Sequence, residues 1–140
     1  MVDRPLLARK IAAVRDAVAR VRAFLPADAA AFAADRTARE VVTLNVLVAL
    51  QECIDLASHW IADAGLSVPQ SYRDLFAALG EQGVIDPALA ARLAAAAGLR
   101  NLIAHGYGAL DWGRLHAVAR ADLADLEVFC AALAQRAGAE

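Results

Sequence analysis

"TAREVVTLNVLVALQECIDLASHWIADA", Thr37 to Ala64, decides the fold. It holds no glycine or proline, the two residues that interrupt helices. Its apolar side chains recur every three or four positions, the period of an α-helix, and they do so on two faces. One stripe is Val41, Leu44, Leu47/Val48, Ile54 and Ile61. The other is Val42, Val46, Ala49, Cys53, Leu56 and Trp60, with the alternating four-three spacing of paired helices. A helix apolar on two sides packs against two neighbours. One neighbour is the chain's own bundle. The second stripe is the expected seam with a second copy of the chain; a single bundle serving both stripes is the alternative. Asn45, Glu52, Asp55, His59 and Asp63 fall between the stripes and read as a solvated face.

Working outward, the flanks are helical too. Leu7, Ile11, Val14, Val18, Val21 and Leu25 form an amphipathic stripe over a helix expected from Arg4 to Phe24. Asp3 is placed to cap it, Pro5 suits its first turn and Pro26 ends it. "ADAAAFAAD" reads as a short helical turn or a linker. After the long helix, Gly65 stands where a helix stops and Pro69 blocks continuation. Ser71 can cap a short helix, "YRDLFAALGEQG", that stops between Gly80 and Gly83. Asp86 and Pro87 start the next, which turns Leu89, Leu93, Ala96, Leu99 and Ile103 inward. A last helix begins at Asp111 or Trp112. Its stripe is Leu115, Val118, Leu123, Leu126, Phe129/Cys130 and Leu133.

Composition agrees with an all-α domain. Hydrophobic residues are 60% of the 140, much of that alanine, against 8 glycines and 4 prolines, so helix formers dominate and turns are few. No membrane span is expected. A span needs about 20 consecutive apolar residues, and the most apolar stretch, Val41 to Leu50, is bracketed by Glu40 and Glu52. Apolar content this high points instead to a face covered by a second copy. Net charge is −2, which gives no broad attraction to nucleic acid but leaves room for a local basic pocket. Cys53 and Cys130 sit in apolar helical surroundings and read as buried reduced thiols, hence a cytoplasmic compartment. The histidines His59, His105 and His116 have no metal-ligand spacing, and no Cys-x-x-Cys pair or phosphate-binding glycine loop occurs. No metal and no cofactor are expected.

The chemistry gathers at "GLRNLIAHGYGALDW", Gly98 to Trp112. Arg100, Asn101, His105 and Tyr107 arrive within eight positions of an otherwise oily chain. Five helical steps separate Arg100 from His105 by about 140°, which would splay them on a straight helix. A left-handed Gly106 directly after His105 would end the helix and let the imidazole fold back. Arginine carries a permanent fork matched to phosphate oxygens. Histidine exchanges a proton near neutral pH. With no nucleophilic serine or cysteine nearby, the pair suits phosphoryl transfer in which RNA supplies its own 2′-hydroxyl. Asn101 could orient the imidazole or a phosphate oxygen. On spacing alone, a histidine that merely caps the last carbonyls of a helix is the favoured reading.

"RNLIAHGY" carries the Arg-x4-His-x-Tyr signature, and with it the chain resembles the HepT-type HEPN ribonuclease toxins of HepT/MntA toxin–antitoxin modules. The likeness extends through "LNVLVALQECIDLASHWIADAGLSVPQSYRDLFAALGEQGVID" and "LAAAAGLRNLIAHGYGALDWGRLH", covering about Arg36 to Asp125. The resemblance implies one HEPN domain over residues 1–140, an all-helical bundle that dimerises with a composite site at the interface. It implies a metal-independent endoribonuclease with Arg100 and His105 as the catalytic pair and Asn101 in support. Tyr107 would be the phenol that an MntA-type nucleotidyltransferase antitoxin modifies with AMP. The alternative function is a non-catalytic HEPN module that binds a nucleotide or holds a nucleotidyltransferase partner.

Overall fold

In the computed structural model, which describes residues 2–139, seven α-helices and one 3-10 turn pack around a single apolar core. α1 (Arg4–Phe24) starts where expected: the Asp3 carboxylate accepts the Leu6 N–H at 3.0 Å, and Pro5 sits in the first turn. It buries Leu7, Ile11, Val14, Val18 and Val21 along α3 (Arg36–Asp63), the most extensive helix pair in the fold. Between them the alanine-rich segment folds as α2 (Ala29–Ala34), capped by Asp28. A helix this short cannot hold itself together in water. Its stability comes from Phe32, which is fully buried against Trp112 and His116 of α6 (Trp112–Ala121).

Both stripes of α3 meet the chain itself, but unequally. Val42, Val46, Ala49, Cys53, Leu56 and Trp60 are all buried within the one chain. The stripe expected to face a second copy is therefore core. The first stripe is buried only at its C-terminal end, at Ile54 and Ile61. Its N-terminal half stays open: Leu44 is 59% exposed, with Val41 and Val48 half-buried on the same face. The N-terminal half of α3 packs on one side only, through Ala38, Val42 and Val46, while the side that carries Leu44 stays exposed. α3 is the one described helix long and apolar enough to cross a membrane by length and composition, and half of that apolar window is buried by its neighbours.

α4 (Tyr72–Glu81) and α5 (Pro87–Gly106) form a tight antiparallel hairpin. Ser71 Oγ caps α4 and Asp86 caps α5. Gly65 and Gly83, after α3 and α4, hold φ of +77° and +73°, the left-handed region where a side chain would be strained. Within the α5 stripe Ala97 is buried and Ala96 only half-buried. The last helix expected from the sequence is two, α6 and α7 (Leu123–Ala139), broken at Asp122. The apolar spacing runs unbroken through Leu115, Leu123, Leu126 and Leu133, so periodicity gave no sign of the break. Packing imposes it: α6 must cover α2, whereas α7 lies against α1, α3 and α5. Cys53 and Cys130 face each other from α3 and α7 as free buried thiols. A hydrogen bond with Cys130, together with burial, pushes the Cys53 thiol well above its ordinary value, so it packs as a small neutral group.

Candidate active site

The site is built where α5 ends beside the start of α4. α5 does not stop in a left-handed glycine. It continues through His105 to Gly106, whose φ of −136° any residue can adopt. The chain then runs into a 3-10 turn, Tyr107–Ala109, and Asp111 caps α6 directly. No reversal is required, because the next helix begins within a few residues. The expected fold-back of His105 at a frayed end is thus not the geometry.

Arg100 and His105 nonetheless share one cavity. It has a volume of about 440 Å³ and is walled by Gln70 to Arg73 on one side and by α5 on the other, with Arg100, Asn101 and His105 in its lining. The two side chains reach it differently. Arg100 leans in from the core side and is half-buried, whereas His105 is exposed on the helix flank. No aspartate or glutamate lines this cavity, while Arg73 adds a second guanidinium that makes no ion pair among the described residues. A concave surface with two arginines, a histidine and no carboxylate favours an anionic ligand despite the net charge of −2.

The Arg100 guanidinium is held from several directions. Nε donates to Gln51 Oε1 at 2.7 Å, and Nη1 donates to Asn101 Oδ1 at 3.2 Å. The Tyr72 ring centroid lies 5.4 Å from its central carbon. Nη2 makes no hydrogen bond among the described residues, leaving that edge of the fork for a ligand. Asn101 therefore supports the arginine rather than the imidazole. His105 makes no hydrogen bond among the described residues, so both ring nitrogens are open to a substrate. The buried histidine, His116, is different: its Nε2 meets the Pro26 carbonyl oxygen at 2.8 Å and ties α6 to the segment between α1 and α2.

Tyr107 lies outside the cavity lining, on the turn that follows. It is 44% exposed, with its ring packed edge-on against Trp112 at 5.8 Å between centroids. Trp112 is itself seated on Phe32 and under the Arg39 guanidinium. Gly106 and Gly108, flanking Tyr107, need no special conformation, and a Cβ at either would meet nothing. They leave space around the phenol rather than backbone freedom.

Three site residues escaped the sequence reading. Gln51 lies on the long helix, 49 positions from the arginine it holds. Tyr72 and Arg73 read there only as the first turn of a short helix. None carries a local signal, since each matters only through a neighbour from another helix. Behind Gln51, Lys10 of α1 pairs with Glu52 at 3.0 Å and Asp55 at 3.4 Å. Burial opposes the Lys10 charge, yet the hydrogen bonds and charges of Glu52 and Asp55 outweigh it and hold the ammonium above its ordinary range. Among the described residues no group of three or more His, Cys, Asp or Glu side chains could hold a metal ion.

This α-helical bundle, with an arginine and a histidine of one helix lining a single cavity, has the fold of the HEPN toxins. The model of the ribonuclease HepT-like family matches residues 14–133. The chain is 32% identical over 124 residues to the mRNA nuclease HepT of Shewanella oneidensis, covering 89% of this chain and 92% of that one. The solved structure of the tri-AMPylated Shewanella oneidensis HEPN toxin in complex with MNT antitoxin superposes with a TM-score of 0.85 at 30% identity, covering 96% of this chain and 99% of that one. A cytosolic protein of unknown function, YutE from Bacillus subtilis, shares the fold at a TM-score of 0.84 with 16% identity, over 96% of this chain and 90% of its own. The chain belongs to the ribonuclease HepT-like family.

Proposed function

We propose that this chain, taken as one HepT-like domain over residues 1–140, is a cytoplasmic endoribonuclease toxin that cleaves RNA as a homodimer without a metal ion. The observation that carries the reading is the shared cavity of Arg100 and His105 with no carboxylate in its lining. An RNA phosphate placed there meets the free edge of the Arg100 fork. His105 takes the proton from the 2′-hydroxyl, whose oxygen bonds to phosphorus as the bond to the 5′-oxygen breaks. That leaving oxygen takes a proton, from the His105 of a second copy if two sites join. Arg100 stabilises charge on the non-bridging oxygens. The products are a 2′,3′-cyclic phosphate and a 5′-hydroxyl.

The dimer draws support from the open half of α3. Val41, Leu44, Val48 and Gln51 fall on one face of the helix, and Gln51 touches Arg100. Pairing across that strip would bring two cavities close together and make a composite site. Tyr107 is the proposed point of control. Its exposed phenol would attack the α-phosphorus of ATP on an MntA-type nucleotidyltransferase, releasing pyrophosphate. The added phosphodiester would compete for the site arginines, and the nucleoside would block RNA.

The test is cleavage of single-stranded RNA by the purified chain in the presence of a chelator, with product ends identified by mass spectrometry and His105→Ala as control. Cyclic phosphate ends that persist with chelator and vanish in the variant support the reading. 5′-Phosphate ends, or cleavage that survives His105→Ala, overturn it.

A further inference from the structure

The hold on Arg100 does not end at Gln51. Gln51 Oε1 accepts from Arg100 Nε at 2.7 Å, while Gln51 Nε2 donates to Asp55 Oδ1 at 3.0 Å. The other Asp55 oxygen faces Lys10 Nζ at 3.4 Å. Each end of the amide is dictated by its neighbour: a guanidinium can only donate and a carboxylate can only accept. A glutamine serves both. A glutamate would repel Asp55, a lysine would repel Arg100, and a methionine would serve neither.

We propose that Gln51 is a positioning residue for the ribonuclease reaction, aiming Arg100 into the cavity while keeping its charge available to phosphate. Asp55, one turn beyond Gln51 and bonded to its amide, is an anion on the same face of α3. A direct ion pair would neutralise the arginine and occupy its fork. The neutral amide passes on orientation and not charge. Tyr72 completes the hold by covering one face of the guanidinium, and Asn101 takes one Nη1 hydrogen. Both Nη2 hydrogens are left for the substrate. Gln51 also continues the open strip of α3, so its side chain lies where the proposed second copy would seal the site.

This inference rests on the ribonuclease reading, so its test has one arm that does not need activity. In full-length chain labelled with 15N-arginine, the Arg100 Nε–H resonance is assigned by its loss in Arg100→Lys. Gln51→Met removes the acceptor at nearly constant volume. The resonance should shift towards the position of solvent-exposed arginines and exchange faster. An unmoved resonance overturns the proposal, whether or not the wild type cleaves RNA.

The second arm is kinetic. Misplacing a reacting group by about an ångström costs up to roughly 100-fold. Gln51→Met should lower kcat by between about 10- and 100-fold with little change in KM. Gln51→Glu puts a carboxylate on Arg100 and should instead raise KM by about 10-fold, the worth of one charge-assisted contact. Protonated, that glutamate reproduces the amide, accepting from Arg100 and donating to Asp55. The Gln51→Glu deficit relative to wild type at the same pH should therefore narrow between pH 7 and pH 5, whereas the Gln51→Met deficit should not. Wild-type kcat and KM in both variants overturn the proposal. So does a Gln51→Glu deficit independent of pH that tracks a lowered melting temperature, because that is the behaviour of a merely structural residue.

Discussion

Gly80→Ala should destabilise this protein although alanine is the better helix former. Gly80 lies in the last turn of α4, where that helix crosses α5. A Cβ there would stand 2.8 Å from the Ala90 Cβ and 3.7 Å from the Pro87 Cα. Carbon atoms prefer about 3.5–4.0 Å, so the two helices must part by roughly 1 Å. Neither neighbour can turn aside, one being a methyl on a helix and the other backbone. Forcing a methyl into such a contact costs about 1–3 kcal/mol. Replacing a helical glycine by alanine returns up to about 1 kcal/mol. The net expectation is a loss of up to about 2 kcal/mol, which at roughly 3–5 °C per kcal/mol lowers Tm by several degrees. Gly98→Ala is the internal control. It lies within α5, its φ is not positive, and a Cβ there meets nothing within 4 Å. That substitution should gain roughly 0.5–1 kcal/mol. Thermal unfolding by circular dichroism and urea titration of the two variants side by side is the assay. If Gly80→Ala gains stability as Gly98→Ala does, the helix crossing is not as close as described and the reasoning fails.

Arg100→Lys keeps the charge but loses the fork held by Gln51 and Asn101; like His105→Ala, it should lower kcat/KM for RNA by at least roughly 100-fold. Both variants should keep a Tm within a few degrees of wild type, and a lysine variant of full activity would refute the role given to the guanidinium. Leu44→Glu places a charge in the middle of the open α3 strip; size-exclusion chromatography with light scattering should show a dimer become a monomer, and a dimer that survives would move the interface elsewhere. Tyr107→Phe should retain much of the nuclease activity, since the phenol lies outside the cavity lining. The same variant should take up no AMP from a cognate nucleotidyltransferase and ATP; intact mass showing one AMP or more on it would place the modification on another residue.

The starts of α1, α4 and α5 were legible because a cap is a contact between a side chain and a backbone N–H two or three residues away. Asp3, Ser71 and Asp86 make those contacts with Leu6, Asp74 and Ala88, as their positions before apolar runs imply. The stripes of α1 and α5 were legible for the same reason: burial of every third or fourth residue is written along one helix. The motif residues were legible by type, and the resemblance placed them in a family that the comparisons bear out. What the sequence left open depends on which face meets which. Val42 to Trp60 could have met a second copy or the chain's own core, and only the seating of α1 beside α3 decides for the core. The break at Asp122 was silent because the apolar spacing continues through it, while the two halves cover different helices. Gly106 was expected in a left-handed turn, yet the position of α6 requires no reversal there. Gln51, Tyr72 and Arg73 carry no signal of their own, because a hydrogen bond spanning 49 residues exists only once α3, α4 and α5 are packed together.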